Sequence, residues 1–254
     1  MLATDTRAAQ GGGGPPNDHT YKAYDVSHPG VELLCGLAGW GDRCESVLAQ
    51  FHFLCGSLGE SRIEPIEHAW VSAYRHVWDQ EASGEIMLQT GLKIEEWRNG
   101  CLTPERARVV QRIWAAKFPQ VQAIVCGFAG RHGENPIAFR ALNYDFPSEF
   151  GHSGYAAIGA GQDAADGLLA SRGQSIHAGP EVSFYNLWCA MQAGAQHQSV
   201  SGYSRYAVIR QGENCERVDG QLLAAWVEHL EKLGAKPNSD GALQFLHRRL
   251  GLRF

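Results

Sequence analysis

Few residues in this sequence stand at spacings that chemistry recognises. The nucleophile-elbow pattern G-x-S-x-G is approached once, at Gly151-His152-Ser153-Gly154-Tyr155, and fails at its last position. None of the eleven histidines stands in an H-E-x-x-H pair, which removes that helical metal site. The seven cysteines are Cys35, Cys44, Cys55, Cys101, Cys126, Cys189 and Cys215; they are odd in number, dispersed and without a C-x-x-C pair. That spacing suits neither a zinc site nor a dithiol redox site. It suits small apolar core residues in a reducing compartment. Gly159-Ala160-Gly161-Gln162-Asp163-Ala164 has a fuller pattern and reads G-x-G-x-x-A. Between a strand and a helix, such small residues let backbone approach a pyrophosphate. A tight strand-to-helix turn uses the same residues. The acid expected about twenty residues on is replaced by Gly179-Pro180-Glu181, a helix start. Dinucleotide binding through Gly159–Ala164 therefore stands as the lesser alternative. Asp5, Arg7 and Lys22 flank a glycine-rich stretch, and their ordinary reading is an exposed ion-pair group worth ~0–1 kcal/mol per pair.

The elements that would position these residues follow from pattern. Residues 10–17 (QGGGGPPN) exclude regular structure and predict a turn. Their flanks, LATDTRA and TYKAYDVS, predict a hairpin-like pair of strands. Val31 to Ala38 is a continuous apolar run, as in a strand buried on both faces. Asp42 then caps a helix to about Gly56. Residues 64–81 predict a second helix with Ile66, Ala69, Trp70, Ala73 and Val77 on one face, and 82–101 fit no single pattern. Thr103-Pro104-Glu105 is a helix start with a cap, a first-turn proline and an acid at the positive dipole end. Val109, Val110, Ile113, Trp114 and Phe118 form its stripe, and Pro119 ends it. Strands are expected over 121–128, 136–143 and 154–159, and helices over about 162–172 and 180–196. A hairpin follows over 203–210 and 214–218, and Asp219 caps a helix striped by Leu222, Leu223, Trp226, Leu230 and Leu233. Residues 235–254 read as a tail. Trp97, Trp114 and Trp226 are each read either as core or as subunit interface.

The strands come in hairpin-linked groups rather than alternating singly with helices. This predicts antiparallel sheets with helices on their outer faces, and disfavours a doubly wound parallel sheet. Of the 254 residues, 44% are hydrophobic and 19% charged, a balance that builds a core and excludes a disordered chain. The net charge of −5 argues against nucleic-acid binding. No apolar run approaches the ~18 residues of a membrane helix, and no secretory signal is readable at the start. A cytoplasmic protein is expected, with no nucleic-acid or membrane partner. No metal and no cofactor is called for.

Five segments together resemble one family. Ala3-Thr4-Asp5-Thr6-Arg7-Ala8 resembles the A-x-D-x-R-A segment of proteasome β-type subunits, and Lys22 follows a glycine-rich hairpin as there. Leu37-Ala38-Gly39-Trp40-Gly41-Asp42 is similar to the A-G-x-x-D strand-to-helix turn. Ile158-Gly159-Ala160-Gly161-Gln162 through Ala165 resembles I-G-S-G-x-x-x-A. Gln198-Ser199-Val200-Ser201-Gly202 resembles D-x-x-S-G. The match covers roughly 2–58 and 119–220, with 60–118 a divergent helical insertion in one domain spanning 1–254.

The resemblance implies an N-terminal-nucleophile hydrolase fold, a four-layer αββα sandwich of two antiparallel sheets, N-terminally truncated. It implies self-association into rings that enclose active sites, with peptides or unfolded proteins as substrates. In that family a threonine hydroxyl attacks the peptide carbonyl and the free α-amine of the same residue, titrating near ~8, takes its proton. A nearby lysine favours the neutral amine, an aspartate holds the lysine, and a glycine N–H stabilises the oxyanion. Carried over by motif, these are Asp5, Lys22 and Gly39, with Ser201 as the supporting serine. The strand and threonine that precede the A-x-D-x-R-A segment in the family have no counterpart here, because the sequence opens with Met1 at that segment. Ala160 and Gln198 replace the family's supporting serine and aspartate. The chain is accordingly expected to be inactive as given, the alternative being an active threonine-type endopeptidase whose true start lies upstream.

Overall fold

The computed structural model describes residues 1–5, 22–39, 41–58, 62–100, 102–130, 134–142, 146–196, 204–209, 215–239, 244 and 246. Two sheets lie at its centre. The larger orders β2 (Ala23–Asp25), β3 (Val31–Gly39), β4 (Val121–Ala129), β5 (Asn135–Leu142) and β6 (Ser148–Glu149) side by side. The smaller orders β1 (Leu2–Asp5), β7 (Ser204–Val208) and β8 (Glu216–Val218). Every pairing in both sheets is antiparallel.

β3 explains how the layers stack. Leu33, Leu34 and Cys35 are consecutive and all fully buried. Successive strand residues point to opposite faces, so both faces of this strand are covered. Leu33, Cys35 and Leu37 pack with Val47, Phe51 and Trp70, which belong to α1 (Gly41–Cys55) and α2 (Ile63–Thr90). On the other face Leu34 and Ile124 pack with Leu2 and Ala207 of the smaller sheet and with Ile209 just beyond β7. That sheet's far face carries Tyr206 and Val208 against Phe184 of α6 (Pro180–Gly194) and Leu223 and Trp226 of α7 (Gly220–Leu233). The order is helices, sheet, sheet, helices.

Most expected elements form where the pattern placed them. Asp219 Oδ1 accepts the Gln221 N–H at 2.8 Å and starts α7. Thr103 Oγ1 accepts the Arg106 N–H at 3.4 Å and starts α4 (Pro104–Ala116).

Three expectations are corrected. Among the described residues, the strands on either side of the glycine-rich stretch do not pair with each other: β1 pairs with β7 and β2 with β3, in different sheets. Residues 154–161 form turns and irregular chain, not a strand. The second helix does not stop near residue 81. Ala82 and Ile86 continue its buried stripe past Gly84, and Gly91 ends it at φ +71°, its N–H bonding Met87 O. Within 82–101 a short helix, α3 (Ile94–Arg98), follows.

Trp226 is core, wholly buried. Trp97 and Trp114 are half-buried; Trp114 stacks on Trp78, and Trp97 packs against Trp114 at a tilt. The expected tail at 235–254 lies largely outside the described residues.

Candidate functional site

The described residues line a large cavity. It measures about 1510 Å³ and lies beside β1 of the smaller sheet, between the larger sheet and helices α5 (Gln162–Ser171) and α6. Its walls hold residues from four of the five segments that carry the resemblance: Thr4, Lys22, Gly39, and Gly159 with Ala160. The fifth, 198–202, lies outside the described residues.

Each is placed by backbone geometry. Lys22 lies opposite Leu37 on the neighbouring strand, where its carbonyl accepts the Leu37 N–H at 3.1 Å. Its ammonium is close enough to Cys44 to oppose the burial that pushes that thiol up to about 11. Gly39 ends β3 at φ +137°, and a Cβ there would stand 2.0 Å from the Gln120 carbonyl oxygen. A side chain is therefore excluded at the point where the chain leaves β3 for α1. Gly39 thus presents bare backbone at the rim, just ahead of the positive end of α1.

The turn at 158–161 closes against the same corner. Gly159 has φ +86°, and a Cβ there would meet the Ala38 methyl at 3.2 Å. Gln122 Oε1 accepts the Gly159 N–H at 2.8 Å. Gly161 sits so close to Gly194 that a Cβ would come within 2.8 Å of its Cα. Gln122 was not among the residues singled out from sequence. It is the polar residue in the otherwise apolar run VQAIVCGF, which is the signal that would have found it.

Lys22 and Gly39 thus share one cavity with Thr4, the neighbour of Asp5 in β1. The side chain of Asp5 lies outside the described residues, as do Ser201 and Gln198. Ala160 lines the cavity at its exposed rim. Further inside, burial pushes the Cys126 thiol up.

The dinucleotide reading of Gly159–Ala164 is overturned. That site needs a parallel strand running into the glycine turn. Here no strand precedes the turn, the sheets are antiparallel, and Gly161 is pressed onto α6. Among the described residues no group of three or more His, Cys, Asp or Glu is placed to hold a metal ion, and no helix is long and apolar enough to cross a membrane.

Solved structures with the same arrangement of layers exist. Anbu (ancestral beta-subunit) from Yersinia bercovieri superposes with a TM-score of 0.61 at 13% identity, over 91% of this chain and 90% of that one. The fold is that of the N-terminal-nucleophile hydrolases. Anbu from Hyphomicrobium sp. strain MC1 matches at 0.57 and 13% identity, over 94% of this chain and 93% of the other. Anbu from Pseudomonas aeruginosa, solved as a helical assembly, matches at 0.57 and 14% identity over 91% and 89%. At such identities the N-terminal-nucleophile fold is what is shared. No protein-family model matches the chain, and no curated protein matches its sequence.

Proposed function

We propose that this chain is a proteasome-like subunit of a self-compartmentalised ring, whose cavity carries part of a threonine-peptidase site. The observation that supports this most is the meeting of Lys22 and Gly39 at one cavity. Lys22 lies just ahead of β2 and Gly39 ends β3, and the two stand in separate motifs of the sequence. In this reading the Lys22 ammonium disfavours protonation of an α-amine beside it, keeping that amine available as a base. The Gly39 N–H, ahead of the positive end of α1, stabilises the oxyanion of a peptide carbonyl under attack. Asp5 holds Lys22, and Ser201 supports the amine. Assembly is the primary role in this reading. Peptide hydrolysis is the second reading, and the same cavity favours it.

Two measurements test the proposal. Sedimentation and negative-stain imaging are expected to show a closed multimer; a monomer across micromolar concentrations removes the ring. Fluorogenic peptides of varied sequence test hydrolysis. Turnover that vanishes in Lys22→Ala supports the second reading, and turnover that persists in Lys22→Ala removes the site assigned here.

A further inference from the structure

Gly39 is backed by the chain that enters the neighbouring strand. It ends β3 opposite Val121, the first residue of β4. The Gln120 carbonyl oxygen, one residue ahead, stands 2.0 Å from where a Cβ of Gly39 would be. The ladder also sets the direction of the Gly39 N–H. The Leu37 N–H reaches toward β2, where the Lys22 carbonyl accepts it. Along an antiparallel strand, N–H groups two residues apart point to the same edge. The Gly39 N–H therefore points to the edge on which Lys22 lies, and Gln120 backs it from the β4 side.

The segment 118–120 is neither helix nor strand. Side chains from two helices grip it. Arg43 Nη1, in the first turn of α1, donates to the Phe118 carbonyl at 2.8 Å. Arg43 Nη2 pairs with Glu81 of α2 at 3.0 Å. The Tyr74 hydroxyl donates to the Pro119 carbonyl, and Trp78 Nε1 donates to the Trp114 carbonyl at 2.8 Å. Tyr74, Trp78 and Glu81 are spaced by four and three residues, so they share one face of α2. A planar guanidinium serves both acceptors at once, which a lysine cannot do. Arg43 follows Gly39 by four residues on one arm, and its bond fixes Phe118 on the other arm, two residues before Gln120. Gly39 lies where the two arms meet.

We infer that Arg43, held by Glu81, is a positioning residue for the Gly39 N–H: its bond to Phe118 keeps the Gln120 carbonyl against Gly39 and so fixes where that N–H points. The inference rests on the oxyanion role proposed for Gly39, but the direction of the N–H is measurable without turnover.

The test uses the full chain, deuterated and labelled with 13C-carbonyl alanine and 15N-glycine, so that the Ala38–Gly39 pair reports in transverse-relaxation-optimised NMR spectra. Arg43→Ala is expected to shift the Gly39 amide resonance, while the Ala193–Gly194 pair on α6 stays in place. Arg43→Lys is expected to fall between the two, because one donor remains. Guanidinium chloride, far below denaturing concentration, is expected to draw the Arg43→Ala resonance back toward the parent position. Glu81→Gln keeps the bulk, loosens the guanidinium and is expected to give a smaller shift in the same direction; it carries the test if Arg43→Ala does not fold. Glu85→Gln breaks the 2.9 Å Lys117–Glu85 pair at the same end of α4 and is expected to leave Gly39 in place. Three results overturn the inference. These are a Gly39 resonance unmoved in every Arg43 and Glu81 variant that folds; a shift in Glu85→Gln as large as in the Arg43 or Glu81 variants; and an Arg43→Ala shift that neither lysine nor guanidinium reverses. In a chain that turns over peptide, Arg43→Ala is expected to lower kcat ~10-fold or more with KM little changed. A parent chain without turnover, in which Gly39 still moves with Arg43, removes the hydrolytic reading and leaves the positioning. Turnover with Gly39 unmoved does the reverse.

Discussion

Gln122 on β4 holds Gly159 through a 2.8 Å hydrogen bond from the glycine N–H to the glutamine side-chain oxygen, and so ties the turn before α5 to the sheet beside Gly39. Gln122→Leu keeps the side-chain bulk and leaves the half-buried N–H without its acceptor. Losing that partner is expected to cost about 1–3 kcal/mol. For a chain of this size each kcal/mol lowers the melting temperature by roughly 2–4 °C. Thermal denaturation followed by circular dichroism checks it. An unchanged melting temperature refutes the tether.

The contact between Gly161 and Gly194 predicts an asymmetry. A Cβ on Gly161 would lie 2.8 Å from both the Cα and the carbonyl oxygen of Gly194, backbone atoms that cannot swing aside. A Cβ on Gly194 would be 3.6 Å from its nearest neighbour, an ordinary contact. Gly161→Ala is therefore expected to lose about 1–3 kcal/mol by forcing the turn off α6. Gly194→Ala, at the end of α6, is expected to be neutral or to gain up to ~1 kcal/mol from helix propensity. Urea denaturation of the two variants side by side decides; equal losses contradict the geometry.

These positions also show how far the sequence alone reaches. The order of sheets and helices was legible because β3 and β4 are apolar runs and α4 and α7 carry caps and stripes. The resemblance brought Lys22 and Gly39 forward, and both line one cavity. The pairing of β1 with β7 was not legible, because nearly two hundred residues separate them and register leaves no local trace. Loop-rich chain at 154–161 was taken for a strand because Tyr155 and Ile158 imitate an apolar run. Gly159 turns at φ +86° and hands its N–H to a side chain instead of a strand. The role of Gln122 is likewise a tertiary fact.

The cysteines carry a chemical prediction. Burial pushes the Cys44 thiol up to about 11 and the Cys55 thiol up to about 12, with Lys22 pulling Cys44 partly back. Burial raises Cys35 strongly as well. At pH 8 all three are protonated, and the thiolate is the form that reacts. Ellman's reagent under native conditions is expected to leave Cys35, Cys44 and Cys55 unmodified, and to reach them once guanidinium unfolds the chain. Mass mapping of the labelled peptides tells them apart from the other cysteines. Prompt native labelling of Cys44 contradicts the packing of α1.

His52, near the end of α1, and His28, whose ring packs against it at a tilt, give a pH dependence. The rings of His28 and His52 lie 4.3 Å apart, and His28 Nε2 is 2.9 Å from the His52 carbonyl oxygen, to which it donates when protonated there. Burial lowers the His52 pKa, the charge of His28 lowers it further, and Asp25 opposes both. A lowered pKa means the unfolded chain binds this proton more readily than the folded one. Stability then rises with pH across that interval. The His52 contribution is whole above the ordinary histidine value of ~6.5 and is lost as pH falls through the lower folded value. Urea midpoints measured from pH 8 to pH 5 are expected to fall below about 6.5, and His52→Gln is expected to flatten that fall relative to the parent chain. His28→Gln should flatten part of it, since it removes the second cause while the first remains. Parallel profiles for parent and His52→Gln would show that the fall belongs to other groups.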